Sequence, residues 1–217
     1  RGLGDVYKRQ GVDTELFTPN LSLGKKALPK KYGFVFTEKC YSILTVARLH
    51  KYKGLEYLIE AMGLLRGMFK AKLYILGNGP EEVSLKRRVK KLGLERTVEF
   101  LQASIPNYEM PFVYRDCDVY VQPSIIEPYG IAVLEAMACG KPVIGTRVGG
   151  MLDTIKDGET GYLVEPKNAE EIAERMAILS DENKRAEMGI RAREWVVKNF
   201  DWMKIGTRYH EVIEDLV

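Results

Sequence analysis

The chain has 217 residues, 46% of them hydrophobic and 29% charged, with 33 basic residues set against 30 acidic ones. This length supports one sizeable domain with a substantial core, and so even a charge balance gives no reason to expect nucleic acid as a partner. Three scattered cysteines without a CxxC pair, two histidines, no signal peptide and no apolar run of transmembrane length argue against a disulfide scaffold, a zinc site and a membrane span, and point to a cytoplasmic protein.

Residues 1–40 read as an irregular amino-terminal segment. "RGLGDVYKRQ" lacks an apolar period and reads as a cloning remnant, "GVDTELFTPN" as a defined loop, and "LSLGKKALPKKYGF" as a linker. Short Val-, Ile-, Leu- and Tyr-rich runs bounded by Gly, Pro or polar residues then predict strands at Ser42–Ala47, Lys72–Leu76, Thr97–Leu101, Asp118–Gln122, Pro142–Gly145 and Gly161–Val164. Helical patterns lie between most of them. Leu55, Leu58, Ile59, Met62 and Leu65 repeat at helical spacing. Pro80-Glu81-Glu82 opens a helix that closes on a basic cluster, with Gly93 as its stop. Further helices are expected at about 107–115, 130–139, 168–179, 181–199 and 201–216. The alternation predicts an α/β fold, a doubly wound parallel sheet of Rossmann-like type over residues 41–200, followed by a terminal helix over 201–217.

In such sheets ligands bind outside the carboxyl ends of the strands. Arg48 and Lys53-Gly54 follow the first strand, Gly77-Asn78-Gly79-Pro80 the second, Pro123 through Gly130 the fourth, and Thr146 through Gly150 the fifth. Cations, glycines and acids on one rim suit an anionic, hydroxyl-rich ligand such as a nucleotide sugar. Arg48 and Lys53 are placed to neutralise a diphosphate, although loop cations are also ordinary surface features. The basic cluster near residue 88 reads as a solvated, dipole-matched face. "GNGPEE" departs from a dinucleotide loop because Glu82 stands where the last glycine belongs. "RDCD" reads as helix-end and strand-start carboxylates rather than a metal site.

The run "PSIIEPYGIAVLEAMACG" is the most informative. Pro128 keeps Glu127 out of helical geometry, and Gly130 allows close backbone approach as a helix begins. The amides of Gly130, Ile131 and Ala132 form an anion site at the positive helix end. Glu135, about one and a half turns further on, is costly to bury unless sugar hydroxyls engage it.

"GVDTELFTP", "TVARLHKYKGLEYLIEA", "LYILGNGP", "VEFLQ", "YVQPSIIEPYGIAVLEAMACGKPVIGTRVGG" and "DGETGYLVEP" together resemble the carboxyl-terminal domain of group 1 retaining glycosyltransferases of GT-B fold. The resemblance covers about residues 11 to 217. It implies that Arg48 and Lys53 bind the donor diphosphate in place of a metal, and that the Gly130, Ile131 and Ala132 amides hold its distal phosphate. It further implies that Glu135 binds ribose and Glu127 the transferred sugar, that Gly77 and Gly79 shape the cleft, and that the backbone near Phe100 and Leu101 meets the base. Arg48, Lys53 and Glu127 are then the catalytic group, acting mainly by stabilising the diphosphate leaving group. Glu127 as a nucleophile is the alternative known from retaining glycosidases, but front-face return is the usual proposal for this family, so orientation and electrostatics are its assigned role.

No cofactor or metal is implied, and the donor is a UDP-, GDP- or ADP-sugar, with glucosyl or mannosyl transfer expected. Two features depart from the family pattern: Tyr7-Lys8-Arg9-Gln10 stands where an apolar strand and Asn are usual, and Asp153 replaces the usual Glu. The amino-terminal acceptor domain does not fit in the first forty residues. The chain alone is therefore expected to bind donor but transfer poorly, with any membrane contact left to the absent half. Its apolar stripe Trp202, Ile205, Tyr209, Val212 and Ile213 is expected to be partly exposed. A sugar-nucleotide epimerase of the same fold and a non-catalytic binding module are the alternative readings.

Overall fold

Ile43 and Leu44 are both fully buried, yet they belong to two different apolar clusters on opposite faces of one strand, and Tyr74 and Ile75 on the next strand divide in the same way. In the computed structural model, which describes residues 11–20, Tyr32, Phe36 and 40–214 (without the side chains at 208, 209 and 211–213), a six-stranded sheet runs through these clusters. The strands are β1 (Tyr41–Val46), β2 (Ala71–Leu76), β3 (Val98–Leu101), β4 (Val119–Gln122), β5 (Val143–Thr146) and β6 (Gly161–Val164). All pairings are parallel, in the order β3-β2-β1-β4-β5-β6. Strands buried on both faces explain the near-continuous apolar runs, and every predicted strand is present to within about a residue.

The helices are α1 (Leu55–Leu64), α2 (Glu82–Lys91), α3 (Met110–Asp116), α4 (Ile131–Ala138), α5 (Met151–Thr154), α6 (Ala169–Ile178), α7 (Glu182–Asn199) and α8 (Trp202–Glu214). α1, α2 and α6 cover one face of the sheet; α3, α4 and α7 cover the other. Asn168 and Asp181 cap α6 and α7 by accepting from the amides of Glu171 and Lys184 at 3.0 Å each. Three details differ from expectation. Pro80 lies in the turn before α2, not in its first turn, and the predicted 107–115 helix begins as a 3-10 turn, Asn107–Glu109. The single-turn α5 is too short to show an apolar period and escaped the sequence pattern.

Residues 11–17 are fastened to the domain. Val12 N–H donates to Phe200 O at 2.9 Å, and Trp202 N–H to Val12 O at 3.1 Å. From α7, Arg193 donates to the carbonyls of Thr14 (2.9 Å), Phe17 (2.5 Å) and Ala138 (2.6 Å), so one guanidinium joins this segment to the carboxyl end of α4. Residues 1–10 and nearly all of the predicted linker lie outside the described residues. Within the predicted terminal stripe, Trp202 is 48% exposed and Ile205 is buried at 3%, while Tyr209, Val212 and Ile213 belong to the side chains not described. Cys117 and Cys139 are buried free thiols, and burial pushes the Cys117 thiol up to about 12. Among the described residues no helix is long and apolar enough to cross a membrane.

Candidate functional site

The strand order reverses between β1 and β4, and chain direction carries β1 outward to one side and β4 to the other. The crevice beyond their carboxyl ends receives the loop after β1, with Arg48 and Lys53, and the loop after β4, with Glu127. Two glycines allow these loops to meet. Gly54 has φ +62°, and a Cβ there would fall 2.1 Å from Pro123 O; Gly149 has φ +46°, and a Cβ there would fall 2.1 Å from Glu127 O. The loop of Glu127 is thereby gripped from both sides. Ile125 N–H donates to Tyr52 O at 2.8 Å, and Gly150 N–H to Glu127 O at 3.1 Å.

Lys53 Nζ lies 2.6 Å from Glu127 Oε2, and both side chains are largely shielded, at 16% and 11% exposure. The same carboxylate oxygen accepts from Ser124 Oγ at 3.0 Å and Gln122 Nε2 at 3.2 Å. Arg48 is exposed, and its guanidinium has no acidic partner among the described residues. Arg147, read from the sequence as another rim cation, is held by Asp157 at 2.5 Å and Glu165 at 3.4 Å.

α4 starts at this crevice with Gly130 as its left-handed N-cap, φ 74°, and no side chain caps it. The amides of Gly130, Ile131 and Ala132 have no acceptor among the described residues, which leaves three donors open at the positive end of the helix. A Cβ on Gly130 would meet only ordinary contacts at 3.8 Å or more, so this glycine is required by its positive φ rather than by close approach. Glu135 is partly buried within α4, and Tyr114 Oη donates to its Oε2 at 2.6 Å. Burial raises the Glu135 pKa, and the tyrosine donor partly offsets the rise. Tyr114, fully buried on α3, was missed in the sequence: nothing in "MPFVYRD" separates a tyrosine that packs from one that donates 21 residues away.

The other predicted site residues are placed as follows. Gly77 and Gly79 face the β1 loop, and added Cβ atoms would lie 2.0 Å from Ala47 O and 2.6 Å from Leu49 O. Leu49 N–H donates to Asn78 O at 2.8 Å, so these two rim loops are joined through backbone. Phe100 is half-buried beneath Lys86, whose Nζ is 5.5 Å from its ring centroid. The Leu101 side chain points into the core, and its carbonyl accepts from Gly77 N–H at 3.2 Å. Asp118 accepts from Ser42 N–H at 2.7 Å and Ser42 Oγ at 2.8 Å and pairs with Arg185 at 3.5 Å, a strand-start clamp as its sequence suggested.

Residues 30–195 match the family model for Glycosyl transferases group 1. An N-acetyl-alpha-D-glucosaminyl L-malate synthase from Bacillus anthracis is 35% identical over 191 residues, 88% of this chain and 49% of that protein. A GDP-mannose-dependent alpha-(1-6)-phosphatidylinositol monomannoside mannosyltransferase from Mycolicibacterium smegmatis is 32% identical over 212 residues, 94% of this chain and 54% of that protein. The crystal structure of Anabaena Alr3699/HepE in complex with UDP and glucose superposes with a TM-score of 0.81 at 25% identity, over 94% of this chain and 55% of that one. The chain thus spans about half the length of the curated relatives it matches.

Proposed function

Because this chain belongs to the group 1 glycosyl transferases, we propose that it is the donor-binding half of a retaining, metal-independent hexosyltransferase. One observation carries the proposal. Two cations, an uncapped helix end and two carboxylates belong to the loops and the helix at the switch point between β1 and β4, a set of groups that suits a sugar diphosphate.

In this reading Arg48 and Lys53 bind the diphosphate, and the amides of Gly130, Ile131 and Ala132 hold its distal phosphate. As the bond from sugar to phosphate breaks, charge grows on the leaving diphosphate, and these fixed groups stabilise it with little reorganisation. They supply the positive charge for which other enzymes use a metal ion. Glu135 accepts from the ribose through the oxygen that Tyr114 leaves open. The backbone near Phe100 and Leu101 faces the base, and Gly77 and Gly79 keep that wall close to the β1 loop. Glu127 orients the transferred sugar; an oxygen already accepting from Lys53, Ser124 and Gln122 suits orientation better than nucleophilic attack. Retention then comes from front-face return of the acceptor.

The names of the relatives support a UDP- or GDP-linked glucosyl or mannosyl donor. The acceptor site belongs to a separate amino-terminal half, and the reaction is placed in the cytoplasm, with any membrane contact made by that half. Residues 41–200 are the donor-binding unit, and the helix after 201 leads toward the acceptor half. Calorimetry with UDP, GDP and ADP in the presence of EDTA tests this. Saturable binding to at least one of them without divalent metal is expected; a chain that binds none is not a donor-binding half.

A further inference from the structure

We propose that Gln122 is a positioning residue for Glu127: it fixes the carboxylate so that the donor sugar meets one defined oxygen, Oε1. The inference rests on the donor-binding reading above and adds to it a residue that the sequence did not single out. Gln122 is the last residue of β4 and is 2% exposed. Tyr120, itself buried beneath the sheet face, has one hydroxyl proton and two acceptors in reach, Gln122 Oε1 at 2.5 Å and Val46 O at 3.2 Å. The carboxylate decides which way the amide points, because an amide oxygen at 3.2 Å from Glu127 Oε2 would be repelled, which leaves Oε1 on the side of Tyr120. With Oε1 turned to Tyr120, Nε2 must face the crevice, where it donates to Ser124 Oγ at 2.9 Å and Glu127 Oε2 at 3.2 Å. Ser124, fully buried, is held in turn by Thr146, whose hydroxyl donates to Ser124 O at 2.5 Å.

Three donors therefore share Glu127 Oε2, and Oε1 has none among the described residues. The three donors are not equivalent. Lys53 sits on a rim turn and is drawn away when phosphate competes for its charge. Gln122 and Ser124 are locked by buried partners and stay in place. Without Gln122, the carboxylate is free to follow Lys53 toward the phosphates or to rotate, and Oε1 loses its aim at the sugar. A group that acts only through Glu127 should affect recognition of the sugar while leaving the diphosphate alone.

Calorimetry would compare wild type with Q122M, using UDP and UDP-glucose, GDP and GDP-mannose, and ADP and ADP-glucose. The expected result is nucleoside diphosphate affinity within about twofold of wild type and about tenfold weaker binding of the matching sugar ester. Equal losses on both ligands, or no loss on either, overturns the proposal. Should Q122M fail to fold, Q122E keeps the shape and brings a second carboxylate beside Glu127. It should lose the sugar preference at neutral pH and regain it as the new carboxyl takes a proton; no recovery at low pH counts against the role. A ligand-free arm separates this proposal from the donor reading. The Gln122 side-chain NH₂ signals in an NMR spectrum of wild type should exchange slowly and shift in E127Q. Signals that exchange freely and do not move overturn the positioning role, while calorimetric silence in wild type overturns only the donor reading.

Discussion

Lys53 Nζ and Glu127 Oε2 stand 2.6 Å apart in a crevice that shields both from solvent. The cation proposed for the diphosphate and the acid proposed for the sugar are thus each other's partner before any ligand arrives. The pair keeps two shielded charges compensated, and phosphate has to compete with a carboxylate for the ammonium group.

Replacing Glu127 by Gln should accordingly tighten nucleoside diphosphate binding, because Lys53 then leaves a neutral amide instead of a carboxylate. A charge-assisted hydrogen bond exceeds a neutral one by about 1 kcal/mol, roughly fivefold in affinity. The same variant should lose transfer activity in the complete enzyme. Calorimetry of E127Q with UDP or GDP checks the first point; weaker binding than wild type would show that Glu127 assists the phosphate contact.

K53A has the opposite effect. It removes a diphosphate ligand and leaves Glu127 without its counter-charge, so affinity should fall by about 1.5–3 kcal/mol, a factor on the order of 10 to 100. The same titration detects it, and an unchanged affinity would assign the phosphate contact to Arg48 and the helix end alone.

Glu135 links the site to pH. Its folded-state pKa is raised, so between the unfolded value, 4.5, and the higher folded value the native chain holds more protons than the unfolded chain. The contribution of this group to stability therefore falls as pH rises through that window and is most favourable at its acid end. E135Q should melt at a higher temperature than wild type at neutral pH, show a flatter pH dependence from 4.5 upward, and bind nucleotide less well. Thermal melts across that range measure all but the last; a variant that is less stable at neutral pH would mean that the carboxylate is well solvated.

Tyr114→Phe removes the hydroxyl that Glu135 Oε2 accepts from. A lost hydrogen bond to a carboxylate should cost about 1.5–3 kcal/mol at neutral pH, read from urea unfolding, and the loss should shrink as Glu135 becomes protonated. A pH-independent loss would instead indicate packing, since Tyr114 also lies edge-on to Tyr120 with ring centroids 5.6 Å apart.

G54A tests the clamp on the Glu127 loop. Its Cβ would enter the Pro123 carbonyl at a positive φ, so a loss of at least about 1 kcal/mol in stability and impaired nucleotide binding are expected. A thermal-shift assay with and without UDP shows both. Wild-type melting and ligand response would mean that the loop relaxes freely.

The sheet was legible because every strand is buried on both faces, which turns it into a bounded apolar run such as Val143–Thr146. The division of Glu127 to a loop and Glu135 to a helix followed from Pro128 and Gly130, where local backbone preference decides the geometry. Contacts set by the fold were not legible. The pairing of Lys53 with Glu127, the donation from Tyr114 to Glu135 and the turn of the Gln122 amide all join residues whose meeting depends on strand order or on a neighbour's side chain. Arg147 shows the reverse error: its position after β5 suggested a rim cation, but Asp157 and Glu165 reach it first.

Arg193 grips both residues 11–17 and the last turn of α4, the helix whose other end carries the open amides of Gly130, Ile131 and Ala132. Eight residues of α-helix make a rod about 12 Å long. A displacement of the 11–17 segment would reach the Gly130 amides along that rod for as long as Arg193 keeps its carbonyl contacts. One guanidinium thus ties the amino-terminal segment to the helix that begins at the crevice.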